Sequence, residues 1–475
     1  MQLATEQNEG TESLVSCQNS QGLELRATLL KLNRFQAGFE VYGPMGVLRV
    51  SEVLNNFRIL LQGQPVYAGR AVVSNIIQLG SVTVCEVTLD EACMDLSLVC
   101  PVNDLPALQT GFEGFLRDWA KSFKVYPDFK VVMADMQSLF LDLRLWMEQM
   151  ELVVRSQPAA DRLHMERDIL MTLQKPVLSL AAPLLEKFEA VANDVQTELQ
   201  PAHRAYMKRH IHPVVLCSPF LCRTFQKPLG YAGDYEMVNM MLRDPFEGGS
   251  MFAKVVNRIF LETPPVVAHQ QRISYLNSRL VAEGFRKAAR GQRLKVYNLG
   301  CGPARELQEF LSSQSLSDRT DLTLLDFNEE TIAYTSGVLR DIKNRSGRAA
   351  TIQMIKRSVH QILKDAGKPV AGDQYDLVYC AGLFDYLSDQ VCKRLMNFLY
   401  GLVAPGGLLL STNVSDSNPS RNWMEYVLDW HLIYRNSAQM AAFIPDAAPA
   451  DYASVLAIGD GVNIALEVRR PEYDR

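Results

Sequence analysis

Lys295-Val-Tyr-Asn-Leu-Gly-Cys-Gly-Pro-Ala-Arg-Glu runs from an apolar strand into a glycine turn, then into a helix that continues through Leu311. Gly300 and Gly302 carry no Cβ, so the backbone there can approach a nucleotide-like ligand closely. A dinucleotide site would want a small residue at the last position of G-x-G-x-x-G. This chain has Arg305 there, too large for close helix–strand packing, and the dinucleotide reading is disfavoured. The next strand, Leu322-Thr-Leu-Leu-Asp-Phe-Asn, ends in an acid 24 residues beyond Gly302. A carboxylate at that tip can accept both hydroxyls of a ribose as paired, charge-assisted hydrogen bonds. Asp326 fits this role, and Phe327 is placed to lie against the adenine.

The pattern continues in order. Ser358-Val359-His360 follows a strand-like run, and Asp373-Gln-Tyr-Asp-Leu-Val-Tyr-Cys-Ala-Gly-Leu-Phe-Asp-Tyr-Leu reads as a fourth strand with the loop beyond it. Leu402-Val-Ala-Pro-Gly-Gly-Leu-Leu-Leu-Ser-Thr-Asn reads as a Pro-Gly-Gly turn entering a fifth. Parallel strands separated by helices make a doubly wound α/β sheet with its ligand at the carboxyl ends of the strands. The four segments together resemble the class I S-adenosylmethionine-dependent methyltransferases. That resemblance implies S-adenosylmethionine as cofactor, with contacts from Tyr231, Asn298, Gly300, Gly302, Arg305, Asp326, Phe327, Ser358, Val359 and Ala381. Asn298 departs from the pattern, because many relatives carry an acid at its position.

A narrower resemblance rests on Phe225-Gln-Lys-Pro-Leu-Gly-Tyr-Ala-Gly-Asp-Tyr-Glu-Met-Val-Asn, Asp244-Pro-Phe-Glu-Gly-Gly-Ser, Asn298-Leu-Gly-Cys-Gly-Pro-Ala-Arg-Glu, Leu324-Leu-Asp-Phe-Asn-Glu-Glu-Thr and Asp429-Trp-His-Leu-Ile-Tyr-Arg. These stretches are similar to the bacterial methyltransferases that make 3-hydroxy fatty acid methyl ester signals, such as 3-hydroxypalmitic acid methyl ester. The likeness covers about residues 215 to 440. It implies a carboxyl O-methyltransferase acting on a hydroxy fatty acid to give a quorum-sensing signal. Physically, Gly230-Tyr-Ala-Gly-Asp-Tyr is a tight turn that can act as a lid over the cofactor, as a cap in which Asp234 starts the helix Tyr235 to Leu242, or as both. Tyr235, His431, Tyr434 and Arg435 are substrate-binding candidates. His431 and Arg435 stand four apart, at helical spacing, and an arginine there can fork onto a substrate carboxylate.

Upstream the character changes. Residues 1–22 are polar and read as a loose leader. From 23 to 104, short alternating runs (Leu23 to Leu29, Phe39 to Tyr42, Phe57 to Leu61, Ala71 to Val73 and Val82 to Leu89), broken by sets such as 43–46, suggest a small antiparallel barrel. It resembles a PilZ-like domain, a receptor for cyclic dinucleotides. Arg26 and Arg34 are isolated, however, and Ser74-Asn75 leading to Gly80 does not reproduce the binding motif, so a scaffolding barrel is expected. Residues 105–215 read as helices acting as a connector or a dimerising bundle: Phe129 to Val154, Arg162 to Leu173, and a third segment that Pro176 and Pro183 interrupt before it resumes from Leu184 to Met207. The methyltransferase domain occupies 216–475.

Bulk properties set the outer bounds. A chain of 475 residues exceeds one hydrophobic core, and 48% hydrophobic with 21% charged residues is ordinary globular composition. A net charge of −5 gives no footprint for nucleic acid. The nine cysteines include no CxxC, and neither Cys217 with Cys222 nor Cys93 with Cys100 has zinc-like companions, so separate thiols and no metal are expected. With no secretory signal and no apolar run of about 18 residues, a cytoplasmic protein without an integral membrane segment is expected, and the helical stripes lead to the expectation of a homodimer. No Ser-His-Asp, Cys-His or paired-carboxylate signature identifies a catalytic residue. Other small-molecule or protein methylation, using a base such as His360 or His431, and non-catalytic cofactor binding stay open as alternatives.

Overall fold

The computed structural model describes residues 13–33, 35–42, 47–61, 64–79, 82–90, 109, 112, 113, 116, 125–365 and 374–472. The chain divides into two compact units, residues 1–125 with 196–206, and residues 126–195 with 207–475.

In the first unit, alternation of buried and exposed side chains builds six strands: β1 Ser13–Gln18, β2 Glu24–Leu32, β3 Gln36–Tyr42, β4 Val53–Leu61, β5 Gln64–Leu79 and β6 Val82–Leu89. They form a closed antiparallel barrel in the order β1-β2-β3-β6-β5-β4, with β1 pairing to β4. Phe39, Phe57 and Tyr67 fill its interior. The expected leader is corrected here, because Ser13–Gln18 is the strand that closes the barrel. Its polar surroundings hid the inward pair Val15 and Cys17. Arg34, the 43–46 turn and Gly80 lie outside the described residues, as do 91–108; Arg26 is exposed.

The second unit opens with helices α1 Pro127–Arg155 and α2 Arg162–Asn193. The expected break within α2 does not occur, and the helix runs straight through Pro176 and Pro183. Leu170, Val177, Ala181, Phe188 and Ala192 make one unbroken buried stripe, and packing it outweighs the roughly 3 kcal/mol cost of an interior proline. These two helices belong to the second compact unit, together with the sheet that follows. Phe188 meets Trp423 and Tyr426, and Phe129 meets Tyr426. Then come α3 Gln200–Val215, α4 Pro219–Gln226, α5 Tyr235–Leu242, α6 Met251–Leu261 and α7 Pro264–Ala288.

The sheet follows, with β7 Leu294–Leu299, α8 Arg305–Ser313, β8 Thr320–Asp326, α9 Glu329–Arg345, β9 Thr351–Lys356, α10 Val359–Asp365, β10 Tyr375–Cys380, α11 Asp389–Gly401, β11 Val403–Val414, α12 Arg421–Val427, α13 Ser437–Ala441, β12 Ala453–Ile458 and β13 Asn463–Arg469. The strand order is β12-β13-β11-β10-β7-β8-β9. Pairing is parallel from β9 through to β11, whereas β13 runs antiparallel to both β11 and β12. This is a doubly wound, Rossmann-like arrangement. The chain order reverses between β7 and β10, and a crevice for ligands opens at such a switch point, beyond the carboxyl ends of the strands. No helix among the described residues is long and apolar enough to cross a membrane.

α2 and α12 are joined by a cap supplied across the fold. Glu189 accepts from the backbone N–H of Asn422 at 3.0 Å and of Trp423 at 2.8 Å, satisfying the start of α12. Glu189→Ala is expected to lower unfolding stability by about 1–2 kcal/mol in denaturant titration, with Glu189→Gln recovering part of the loss. A stability equal to the parent would remove the cap.

Candidate functional site

The loop after β7 is shaped by backbone bonds to the neighbouring strand. Gly300 and Cys301 both donate to the Leu325 carbonyl, at 2.8 and 3.0 Å. Gly300 at φ 72° and Gly302 at φ 50° take the left-handed conformation that glycine adopts without strain, and Ala304 joins them at φ 50°. The loop thus turns sharply into α8. A Cβ on Gly302 would meet nothing within 4 Å, so the space beside the loop is open.

Asp326, at the tip of β8 and 7% exposed, ties this loop to the next one. Its carboxylate accepts from Gly302 N at 3.2 Å and from Asn328 N at 3.0 Å, while its carbonyl accepts from Arg357 N at 2.8 Å. Phe327 follows, and the Tyr231 ring stands 4.9 Å from it. The turn that brings Tyr231 here has Gly230 at φ 82° and Gly233 at φ 78°. Asp234 caps α5, accepting from Met237 N at 2.9 Å, and Arg223 holds the same carboxylate. Tyr235 stacks on Tyr334 at 4.5 Å and donates to Glu330 at 2.8 Å, which docks the turn against α9. The turn is therefore the cap of α5, and it lies against Phe327 and α9.

Ser358 and Val359 are buried at the end of β9, where the Ser358 hydroxyl accepts from Gln361 N at 3.3 Å and starts α10. Ala381 and Gly382 leave β10 at the switch point, and Gly382 donates to Thr412 Oγ1 at 3.2 Å. Arg305 does not reach into the crevice. Its guanidinium lies along its own helix, donating to Gln308 at 3.1 Å and standing 3.9 Å from Glu309. Asn298 is buried and donates to Glu306 Oε1 at 3.3 Å.

The C-terminal candidates need correction. Residues 429–436 are irregular rather than helical. Asp429 sits at φ 47°, and the backbone bonds leave the segment, from Ile433 N to the Asp385 carbonyl and from Arg435 N to the Val414 carbonyl. Four-residue spacing therefore puts His431 and Arg435 on no shared helical face. Arg435 is 1% exposed, and its five N–H groups go to Asp389, Phe384 O, Asn413 Oδ1 and Leu387 O. It fastens the loop after β10 and has no donor left for a substrate carboxylate. His431 is buried, with Nδ1 3.9 Å from Glu425, and Tyr434 lies under the Arg421 guanidinium at 4.7 Å.

Three residues at the crevice were not singled out from the sequence. Glu306 opens α8 and accepts from the Tyr379 hydroxyl at 2.6 Å, and burial pushes its carboxyl up from the usual range. Arg272, on α7, lies beside Gly382, where an added Cβ would stand 2.9 Å from Nη2. Tyr386 accepts from Trp430 Nε1 at 2.9 Å, and its hydroxyl stands close to Gly233 of the 230–235 turn. Glu306 had a detectable signal, as an acid in the first turn of the helix that follows the glycine loop.

No family model and no curated protein matches the chain. Among solved structures it is similar to a possible exported protein from Bordetella parapertussis, at 15% identity over 63% of this chain and 97% of that one, with a TM-score of 0.39. It is also similar to magnesium protoporphyrin IX methyltransferase from Synechocystis PCC 6803 with bound SAH, at 14% identity over 43% of this chain and 84% of that one, TM-score 0.31. A third is the N-methyltransferase NodS from Bradyrhizobium japonicum WM9 in complex with SAH, at 14% identity over 53% and 100%, TM-score 0.30.

Arg435→Met tests the structural assignment. It leaves buried carbonyls and the Asn413 amide oxygen without a donor, and is expected to cost about 3 kcal/mol or more of unfolding stability. A stable variant with only a raised KM would return Arg435 to substrate binding.

Proposed function

We propose that this chain is an S-adenosylmethionine-dependent methyltransferase whose acceptor is the carboxylate of a 3-hydroxy fatty acid, giving a methyl ester signal. The observation that carries the cofactor reading is the Gly302–Asp326 bond, which sets a buried carboxylate beside an open glycine loop at the switch point. The donor set fits the group: Asp326 for the ribose hydroxyls, Phe327 and Tyr231 for the adenine face, and the loop 300–302 for close backbone approach. When bound, S-adenosylmethionine supplies an electrophilic methyl on a sulfonium.

The protein's own part is orientation and exclusion of water. Attack of a carboxylate on a cation cancels charge toward the transition state, so a dry, shaped site favours it. The 230–235 turn, held to α9 by Tyr235 and closely approached by the Tyr386 hydroxyl at Gly233, supplies one wall. A fatty acid is already ionised at neutral pH, so its methylation requires no general base. Met237, Met241, Phe252 and Ile259, between the turn and α7, are each no more than 5% exposed. They form the apolar surroundings into which a tail would extend.

Transfer of labelled methyl from S-adenosylmethionine into extractable lipid is the test. Asp326→Ala is expected to weaken cofactor affinity about tenfold or more, since hydrogen bonds to a charged group are worth about 1.5–3 kcal/mol each. Each methylene removed from the acid should lower kcat/KM about fourfold, following roughly 0.8 kcal/mol per buried CH2. Transfer only to phenols, amines or protein would reject the fatty acid and keep the methyltransferase; cofactor binding without transfer to any acceptor would favour a regulatory role.

A further inference from the structure

Helix α1 buries one stripe, including Phe129, Val132, Met136, Phe140 and Met147, within its own unit, where Phe129 meets Phe188 and Phe140 meets Phe260. A surface helix with its apolar stripe so used is ordinarily polar on the opposite side. Here it is not. Val131, Ala134, Ser138, Leu141, Leu145 and Leu152 run along the outer side, and all six are exposed. Leu145 and Leu152 keep 60% and 65% of their surface in water. The inner stripe is consumed within the unit, so any association of α1 with another chain falls to this outer one.

The spacing is that of a coiled-coil seam. Val131, Ser138, Leu145 and Leu152 recur every seven residues, and Ala134 and Leu141 stand three beyond the first two. Glu148 takes the third such place, with Arg144 on it at 2.9 Å. From Val131 to Leu152 the seam is about 30 Å long, at roughly 1.5 Å per residue. Ser138 is its one polar side chain between Val131 and Leu145, and it is small enough for two helices to approach closely there.

The rows beside the seam carry unlike charge. On one side stand Asp128, Asp135 and Asp142, again seven apart, and on the other Lys130, Gln137 and Arg144. Asp135 also holds Lys187 of α2 at 3.2 Å, and Glu151, which ends the second row, is matched by Arg155 at 2.9 Å. Two copies of α1 laid antiparallel would set the acidic row against itself. Laid parallel, each acidic row meets the other copy's basic row, with Lys130 facing Asp135 and Gln137 facing Asp142.

We infer that this outer seam is an interface between two copies of the chain, their α1 helices running parallel about a two-fold axis between them. The contact is isologous, so each seam residue meets its own counterpart. Charge complementarity of the two rows selects a second copy as the occupant and fixes its direction.

Light scattering and sedimentation equilibrium on the full chain test this. The parent should carry twice the chain mass at micromolar concentration. Leu145→Glu with Leu152→Glu, both at exposed positions, should weaken association at least about a hundredfold and leave the circular dichroism unchanged. Cross-linking reads the direction. Under mild oxidation Leu152→Cys should join to its own counterpart, and Val131→Cys likewise, with the parent and its nine cysteines as the control. Joining only between Val131→Cys and Leu152→Cys chains in a mixture would mean antiparallel helices and overturn the inference. A parent that is monomeric at micromolar concentration overturns it too, as does a dimer that the double glutamate variant leaves intact, because the contact then lies elsewhere.

Discussion

The Asp326 carboxylate receives the Gly302 N–H while its own backbone carbonyl receives Arg357 N–H, so one residue ties the ends of three adjacent strands. The loop after β7, the loop after β8 and the exit from β9 cannot shift independently once those bonds are made. Thr335, on α9, adds a bond to the Gly302 carbonyl at 2.7 Å and draws the helix onto the same point. The 230–235 turn then finds a ready surface in Phe327, Glu330 and Tyr334. Rigidity at this end of the crevice is therefore a property of the sheet's hydrogen bonding.

The opposite end is organised by charge. Arg435 and Asp389 clamp the loop after β10, and Asp385 in that loop is buried, its carboxyl pushed up by burial and drawn back by Arg272 and Arg435. Low dielectric makes such groups costly when unmatched and strong when matched. The two ends of one crevice are thus built on different physics, backbone bonds on one side and buried side-chain charge on the other.

What the sequence made readable follows the same division. The loop at 300–302, Asp326 and the Asp234 cap are local patterns in which spacing along the chain fixes spacing in space. The barrel strands were visible because alternation is local too. Pro176 and Pro183 misled because local propensity predicts a stop, whereas a stripe from Leu170 to Ala192 buried against other helices decides otherwise. His431 and Arg435 misled in the opposite sense, since their spacing mimics a helix turn in a segment whose backbone bonds go to β11 and the loop after β10. Arg272 carried no local signal, because its meaning comes from Gly382, more than a hundred residues later.

The cap that Glu189 places on Asn422 and Trp423 spans 233 and 234 positions of chain. Helices α1 and α2 leave the ribosome long before α12 exists, so their inner stripe, with Phe129 and Phe188 on it, has no final partner during most of synthesis. Completion of the second unit is consequently a late event, set by the arrival of residues 421–427. A nascent chain stalled short of them would hold an aromatic face open to water, which makes this stretch of translation the period when the protein most needs a holding chaperone.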